Sequence, residues 1–141
     1  MISEASMERI TRIKKHLRDL KRAEVAEAER RHDEARREET RLEDAAREAA
    51  RALGEIRDSR PEDFELMAQL VVESSARASQ ASDAAAERAR ELDVERDLRV
   101  EAERELRGIE LAGKRVQKRE EEKVTRAEDR LAEIWASRRR P

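Results

Sequence analysis

Apolar residues recur along the N-terminal part of the chain at alternating spacings of three and four, the spacing that lines one side of a coiled-coil helix. A first run comprises Ile10, Ile13, Leu17 and Leu20. A second run extends from Val25 to Ile56 and is displaced from the first by one residue. The displacement predicts a local change in supercoil winding within one continuous helix. We therefore expect a first helix over about residues 6–57.

The segment LGEIRDSRPEDFEL contains the clearest break in this pattern. Pro61 suits the first turn of a new helix, because an amide there has no helical partner in any case. Ser59 or Asp58 would cap this helix. We expect a turn over about residues 58–60 and a second helix over about 61–138.

The second helix repeats the three-four spacing. Its apolar positions keep one phase from Phe64 to Val116, with polar interruptions, and a last out-of-phase run comprises Val124, Ala127, Leu131 and Ile134. Two such helices joined by a short turn favour an antiparallel hairpin. The expected fold is all-α: a single antiparallel two-helix coiled-coil hairpin with a longer second helix. Residue 2 should lie near 116 and residue 25 near 93, leaving roughly 25 C-terminal residues unpaired.

Composition agrees with long helices and disfavours a globular core. Charged residues make up 48% of the 141 residues and hydrophobic residues 37%, many of them alanine. Disorder is disfavoured by the helical spacing and by a net charge of only −2, which also does not indicate nucleic-acid binding. There is no cysteine, no apolar run of about 20 residues and no secretory signal, so we expect a cytoplasmic protein without membrane insertion.

No group of residues indicates catalysis. His16 and His32 lie sixteen positions apart on one helix, too far to share a metal ion. The carboxylates alternate with arginines at helical spacing, which is typical of a solvated surface. We expect a protein that is not an enzyme and carries no cofactor or metal.

Two segments stand out from this background. FELMAQLVV, residues 64–72, has more bulky apolar residues than are needed for the seam, the line of contact between the two helices. The segment is either the best-packed end of the hairpin or a docking patch. The tract from Lys114 to Arg140 holds ten basic and six acidic residues. It is either ordinary charge variation or a basic overhang in which Leu131, Ile134 and Trp135 anchor another protein.

Three segments resemble the FliJ/YscO family of type III secretion proteins. They are the opening ERITRIKKHLRDLKRAEVAEAERRHDEARRE, the intermediate RPEDFELMAQLVVESS and the closing ERELRGIELAGKRVQKREEEKVTRAEDRLAEIWASRRRP. The family's closing segment often carries an acidic residue just before the position of Glu133, where this chain has Ala132.

The resemblance implies a cytoplasmic helical hairpin, peripheral to a membrane export apparatus, that links the hexameric export ATPase to the export gate. Such a protein would bind the cytoplasmic domain of the gate and escort secretion chaperones. The gate or chaperone surface would comprise Phe64, Met67 and Val71. The ATPase surface would comprise the basic residues Lys114, Arg115, Lys118 and Arg119 together with Leu131, Ile134 and Trp135, supplemented by Arg12, Lys14 and Lys15.

A second interpretation is a structural coiled-coil protein, such as the peripheral stalk of a rotary ATPase or a homodimeric scaffold. It predicts a parallel or extended dimer in which Pro61 only kinks a helix. The secretion interpretation predicts a hairpin that is monomeric in isolation.

Overall fold

A computed structural model describes residues 2–56 and 60–139 of the chain. These residues form two long helices, α1 over Glu4–Glu55 and α2 over Pro61–Arg138. The helices pack against each other as an antiparallel hairpin, and α2, with 78 residues, is longer than α1, with 52. The fold class predicted from the sequence is therefore confirmed.

Ser3 determines where α1 begins. Its Oγ accepts a hydrogen bond from the backbone N–H of Ser6 at 3.2 Å, and its carbonyl oxygen accepts one from Met7 at 3.0 Å. The first of these bonds satisfies an amide that has no partner within the first helical turn. As a result the helix begins at Glu4, two residues before the expected start.

Backbone hydrogen bonds mark both sides of the break. The N–H of Ile56 donates to the carbonyl oxygen of Leu53 at 3.4 Å, which tightens the last turn of α1. The N–H of Phe64 donates to the carbonyl oxygen of Arg60 at 3.1 Å, so that Arg60 is the N-cap residue of α2 and Pro61 its first helical residue. The expected caps Asp58 and Ser59, and the expected end of the first helix at residue 57, lie outside the described residues.

The hairpin divides into two compact units. The terminal unit consists of Met1–Lys21 and Arg99–Pro141, and the turn unit of Arg22–Leu98. In each unit a stretch of α1 lies against a stretch of α2.

The seam of the turn unit follows the predicted spacing. On α1 it comprises Val25, Ala28, His32, Ala35, Glu39, Leu42, Ala46, Ala49 and Leu53, and on α2 Met67, Val71, Ser74, Ala78, Ala81, Ala85, Arg88, Leu92 and Glu95. Val25 and Leu92 are the most deeply buried, at 2% and 4% exposure. An ion pair between Arg96 and Glu29, at 3.4 Å, joins the two helices. Because most seam residues are alanine or polar, the helices approach closely but bury little apolar area.

The seam of the terminal unit has the same spacing and different chemistry. On α1 it comprises Met7, Thr11, Lys14, Arg18 and Lys21, and on α2 Arg99, Ala102, Leu106, Ile109, Gly113 and Val116. Lys14 donates to Glu105 of α2 at 2.9 Å. Ile2 and Val116 line the same surface hollow, in agreement with the expected proximity of residues 2 and 116.

The expected seam from Ile10 to Leu20 is wrong. Ile13, Leu17 and Leu20 are 60%, 42% and 47% exposed, and only Ile10 is half-buried. On α1 the buried and half-buried seam positions recur at spacings of three and four from Met7 to Leu53, with no one-residue displacement. Each residue of displacement would have rotated the face that contacts α2 by about 100°.

Basic side chains occupy the positions that the apolar run was expected to fill. The side chains of Lys14 and Arg18 are 31% and 25% exposed. Their charged ends form ion pairs, Lys14 with Glu105 of α2 and Arg18 with Asp19, and long basic side chains at such positions bury their aliphatic stems. The apolar run consequently remains on the flank of α1.

The last part of α2 has no partner helix. Every described residue from Gln117 to Arg139 is exposed, including the out-of-phase run from Val124 to Ile134. We call residues 117–139 the tail. Its extent agrees with the expected overhang.

Two leucines of the terminal unit test the position of the seam. Leu106 is 4% exposed and Leu17 is 42% exposed. We expect Leu106→Ala to lower the free energy of unfolding by about 2–4 kcal/mol, because it leaves a cavity in the seam. Leu17→Ala should change it by less than about 0.5 kcal/mol. Denaturant titration followed by circular dichroism measures both, and equal losses would contradict the assigned seam.

The hairpin also predicts a short distance between two exposed positions of the turn unit, Ala26 and Asp93. The chain has no cysteine, so cysteines placed there can be labelled selectively. Pulsed electron spin resonance, on doubly labelled chains diluted with unlabelled ones, should give a distance of about 15–30 Å, because packed helices lie 8–10 Å apart. A single unbent helix would separate the two positions by about 100 Å.

Candidate functional site

An open surface hollow lies where α1 begins and α2 passes it. Its volume is about 530 Å³, and it is lined by Glu4, Met7, Glu8, Thr11, Arg12, Lys15, Glu110, Gly113, Lys114, Val116 and Gln117. Gly113 occupies a seam position in this lining and presents no side chain to the hollow. A Cβ at that position would lie 3.9 Å from Cε of Met7, which is ordinary van der Waals contact.

The hollow brings together basic residues from both helices. Arg12 and Lys15 of α1 line it together with Lys114 of α2, all of them residues of the expected ATPase surface. Three carboxylates, those of Glu4, Glu8 and Glu110, line it as well. The opposite charges balance, so that the hollow has no strong preference for an anion. The third basic residue expected from α1, Lys14, lies outside this lining and forms its ion pair with Glu105.

The other basic residues of the expected ATPase surface lie on the exposed surface of α2. Lys114 and Lys118 are one helical turn apart, and so are Arg115 and Arg119. Arg119 also lines the second hollow, beside Ile2. These four residues form a continuous basic surface that leads from the hollow into the tail.

The apolar residues of the expected ATPase surface form one exposed patch. Leu131, Ile134 and Trp135 are 57%, 49% and 61% exposed. Their spacing of three and four places them on the same face of the helix. An indole in water with no packing partner is typical of a protein-binding anchor. The structure therefore groups these three residues, as the sequence suggested.

The structure separates the residues expected to bind the export gate. Phe64 is exposed, whereas Met67 and Val71 are half-buried in the seam against α1. The exposed apolar residues near the start of α2 are Phe64, Leu66, Leu70 and Val72. Leu66 and Leu70 belong to the same apolar-rich segment, residues 64–72, but not to the expected trio. Of the expected trio, only Phe64 presents a large exposed surface.

Sequence reasoning missed one exposed apolar surface, the flank formed by Ile13, Leu17 and Leu20. Its spacing is that of a seam, which is why it was assigned to the hairpin interface. The signal that distinguishes this flank from the seam is the position of its residues relative to the three-four spacing of the rest of α1. Met7 and Lys14 continue the spacing of the Val25 run, and the Ile10 run does not.

The described residues contain no metal cluster. Among residues 2–56 and 60–139, no group of three histidine, aspartate or glutamate side chains is placed to hold an ion. His16 is exposed, and His32 occupies a seam position of the turn unit. Neither described helix has a segment long and apolar enough to cross a membrane.

The pKa of one carboxyl group is perturbed by an ion pair on the surface of the turn unit. Arg41 donates two hydrogen bonds to Glu38, at 2.9 and 2.6 Å. These bonds hold the pKa of Glu38 below its ordinary value and raise the pKa of Arg41. The pair is exposed to solvent and therefore contributes little to stability.

Comparisons with known protein families, with curated proteins and with solved structures find no match to this chain. The resemblance to the FliJ/YscO family therefore depends on the segments quoted above.

Gly113 offers a test of the hollow. Its helical backbone has no positive φ, and a Cβ would meet only a flexible methionine side chain. We expect Gly113→Ala to raise the free energy of unfolding by about 0.5–1 kcal/mol, since alanine loses less backbone entropy in a helix. Gly108→Ala is the matched control, because a Cβ there meets nothing within 4 Å. A loss of stability at Gly113 alone would mean that the helices are closer than described.

Proposed function

We propose that this chain is a non-enzymatic component of a type III export apparatus, with a role like that of the FliJ/YscO proteins. In this role it links the hexameric export ATPase to the cytoplasmic domain of the export gate and escorts secretion chaperones. It acts in the cytoplasm, peripheral to the membrane apparatus.

The proposal depends mainly on the tail. A hairpin whose second helix extends 22 residues past Val116, to Arg138, and is exposed over that length has a helix that is available for another protein. Leu131, Ile134 and Trp135 supply an apolar face, and the basic surface from Lys114 to Arg119 lies on the same helix, about 18 Å N-terminal to that face. A helix with one apolar face binds into a groove of a partner through residues at this spacing.

The start of α2 is the second proposed surface. Phe64 is exposed there together with Leu66 and Leu70. Exposed apolar groups on a rod that is otherwise charged favour a protein partner. We assign the gate or chaperone to this surface, with Phe64 as its main contact and the half-buried Met67 and Val71 supporting it from the seam.

A structural coiled-coil role remains the alternative, favoured by the exposed flank of α1 at Ile13, Leu17 and Leu20. Binding to the export ATPase separates the two interpretations. A peripheral stalk or scaffold has no reason to bind that enzyme.

The test uses the purified full chain with the export ATPase and the gate domain from the same genome. We expect Trp135→Ala to weaken ATPase binding by roughly tenfold or more, because buried tryptophans dominate such interfaces. Phe64→Ala should weaken gate binding and leave ATPase binding unchanged.

Val94→Ala is the control, since Val94 is 57% exposed and belongs to neither proposed surface. Isothermal titration measures all three variants. If the unaltered chain binds neither protein, the proposed function is wrong.

A further inference from the structure

The terminal unit carries two uncovered apolar stripes with identical spacing. The α1 stripe consists of Ile10, Ile13, Leu17 and Leu20, and the tail stripe of Val124, Ala127, Leu131 and Ile134. Each runs three, four, three along its helix. Ile10 is half-buried, and the other seven residues are exposed. A stripe of this spacing is complementary to another helix with the same spacing.

The two stripes cannot meet within one chain. α2 is a single helix from Pro61 to Arg138 with no break, so its last turns cannot fold back onto α1. The stretch of α2 that does lie beside α1, around Leu106 and Ile109, contacts the seam and not the stripe. Any partner for either stripe must therefore come from another molecule.

The charges around the two stripes are opposite in sign. Within one helical turn of the α1 stripe, residues 6–24 hold seven basic and three acidic side chains, a net charge of +4. Within one turn of the tail stripe, residues 120–138 hold four basic and six acidic side chains, a net charge of −2. Opposite charge steers two surfaces together and disfavours pairing of each stripe with itself.

We propose that a second copy of this chain covers both stripes. The two copies lie end to end in opposite directions and are related by a two-fold axis. The tail of each copy then lies on the α1 stripe of the other, and one interface repeats twice, as two-fold symmetry requires.

The geometry of this dimer fixes the direction of pairing. Within one hairpin α1 and α2 are antiparallel, and the two-fold axis reverses the second hairpin. The tail of one copy therefore runs parallel to α1 of the other. Parallel stripes of equal spacing align residue by residue: Ile10 with Val124, Ile13 with Ala127, Leu17 with Leu131, and Leu20 with Ile134.

In this register the charged residues beside the stripes form one attractive pair and two like-charge pairs. The register places Arg9 beside Glu128, an attractive pair. It also places Lys14 near Lys123, but Lys14 already pairs with Glu105 at 2.9 Å and Lys123 with Glu120 at 3.6 Å. Arg130 near Lys21 is the remaining like-charge pair. We accordingly expect a dimer of moderate strength that weakens when either stripe is made charged.

Sedimentation equilibrium of the full chain tests the proposal over a range of concentrations up to about 1 mM, where even weak association is populated. We expect a monomer–dimer equilibrium in which Leu17→Glu and Leu131→Glu each weaken dimerisation by roughly tenfold or more. Both side chains are exposed, so the helical content measured by circular dichroism should not change. Leu111→Glu is the matched control, since Leu111 is 51% exposed and belongs to neither stripe.

Cysteine crosslinking tests the register, using the absence of native cysteine. Chains carrying Ile13→Cys are mixed with chains carrying Ala127→Cys and oxidised. We expect the mixed disulfide to form at least about tenfold faster than with Glu34→Cys in place of Ala127→Cys, because the dimer raises the local concentration of the two thiols.

Two outcomes would overturn the proposal: a chain that stays monomeric at every concentration, or a dimer in which residue 13 crosslinks to residue 13 faster than to residue 127. The inference does not depend on ATPase or gate binding, because every measurement uses this chain alone, and it replaces the expected monomer in isolation with a concentration-dependent dimer.

Discussion

The rest of the molecule depends on one constraint: in each helix, the residues that face the other helix keep a single regular spacing. Buried positions alternate at three and four from Met7 to Leu53 on α1 and from Met67 to Val116 on α2. A one-residue change in the spacing of the α1 seam would rotate the following part of its contact face about the helix axis. The seam of α2 would then need a matching change to keep the two faces together. The hairpin keeps its phase even where this places Lys14 and Arg18 in the seam and leaves isoleucine and leucine outside it.

The sequence was sufficient for the architecture because its strongest signals agree with one another. Pro61 starts a helix, the absence of glycine and proline before Gly54 allows a long one, and the α2 seam keeps one phase to Val116. Each of these follows from backbone chemistry or from spacing within one helix. The antiparallel pairing then follows from the shortness of the turn.

The position of the α1 seam near the N-terminus could not be predicted in the same way. Read alone, the spacing from Ile10 to Leu20 is a better seam than the positions that are used, because isoleucine and leucine bury more apolar area than lysine or arginine stems. The continued spacing of the Val25 run favours Met7 and Lys14, but a one-residue slip within α1 would have kept the apolar run in the seam, and only the packing of α2 decides between the two. The spacing of α2 places Met67 and Val71 in the seam, where they are half-buried, whereas the resemblance placed them on the gate or chaperone surface. A segment with apolar residues on several sides does not indicate which of them faces the partner.

The tail connects the two proposals, because Leu131 and Ile134 belong both to the surface proposed for the ATPase and to the tail stripe. One apolar face cannot bind two helices at once. If both proposals hold, the dimer withholds the tail from the ATPase, and ATPase binding must separate the copies. The apparent affinity for the ATPase would then fall as the concentration of the chain rises, since the competent monomer becomes a smaller fraction of the total. Trp135 lies at the edge of the tail stripe, one residue beyond Ile134, and is the contact through which a larger partner could displace the second copy.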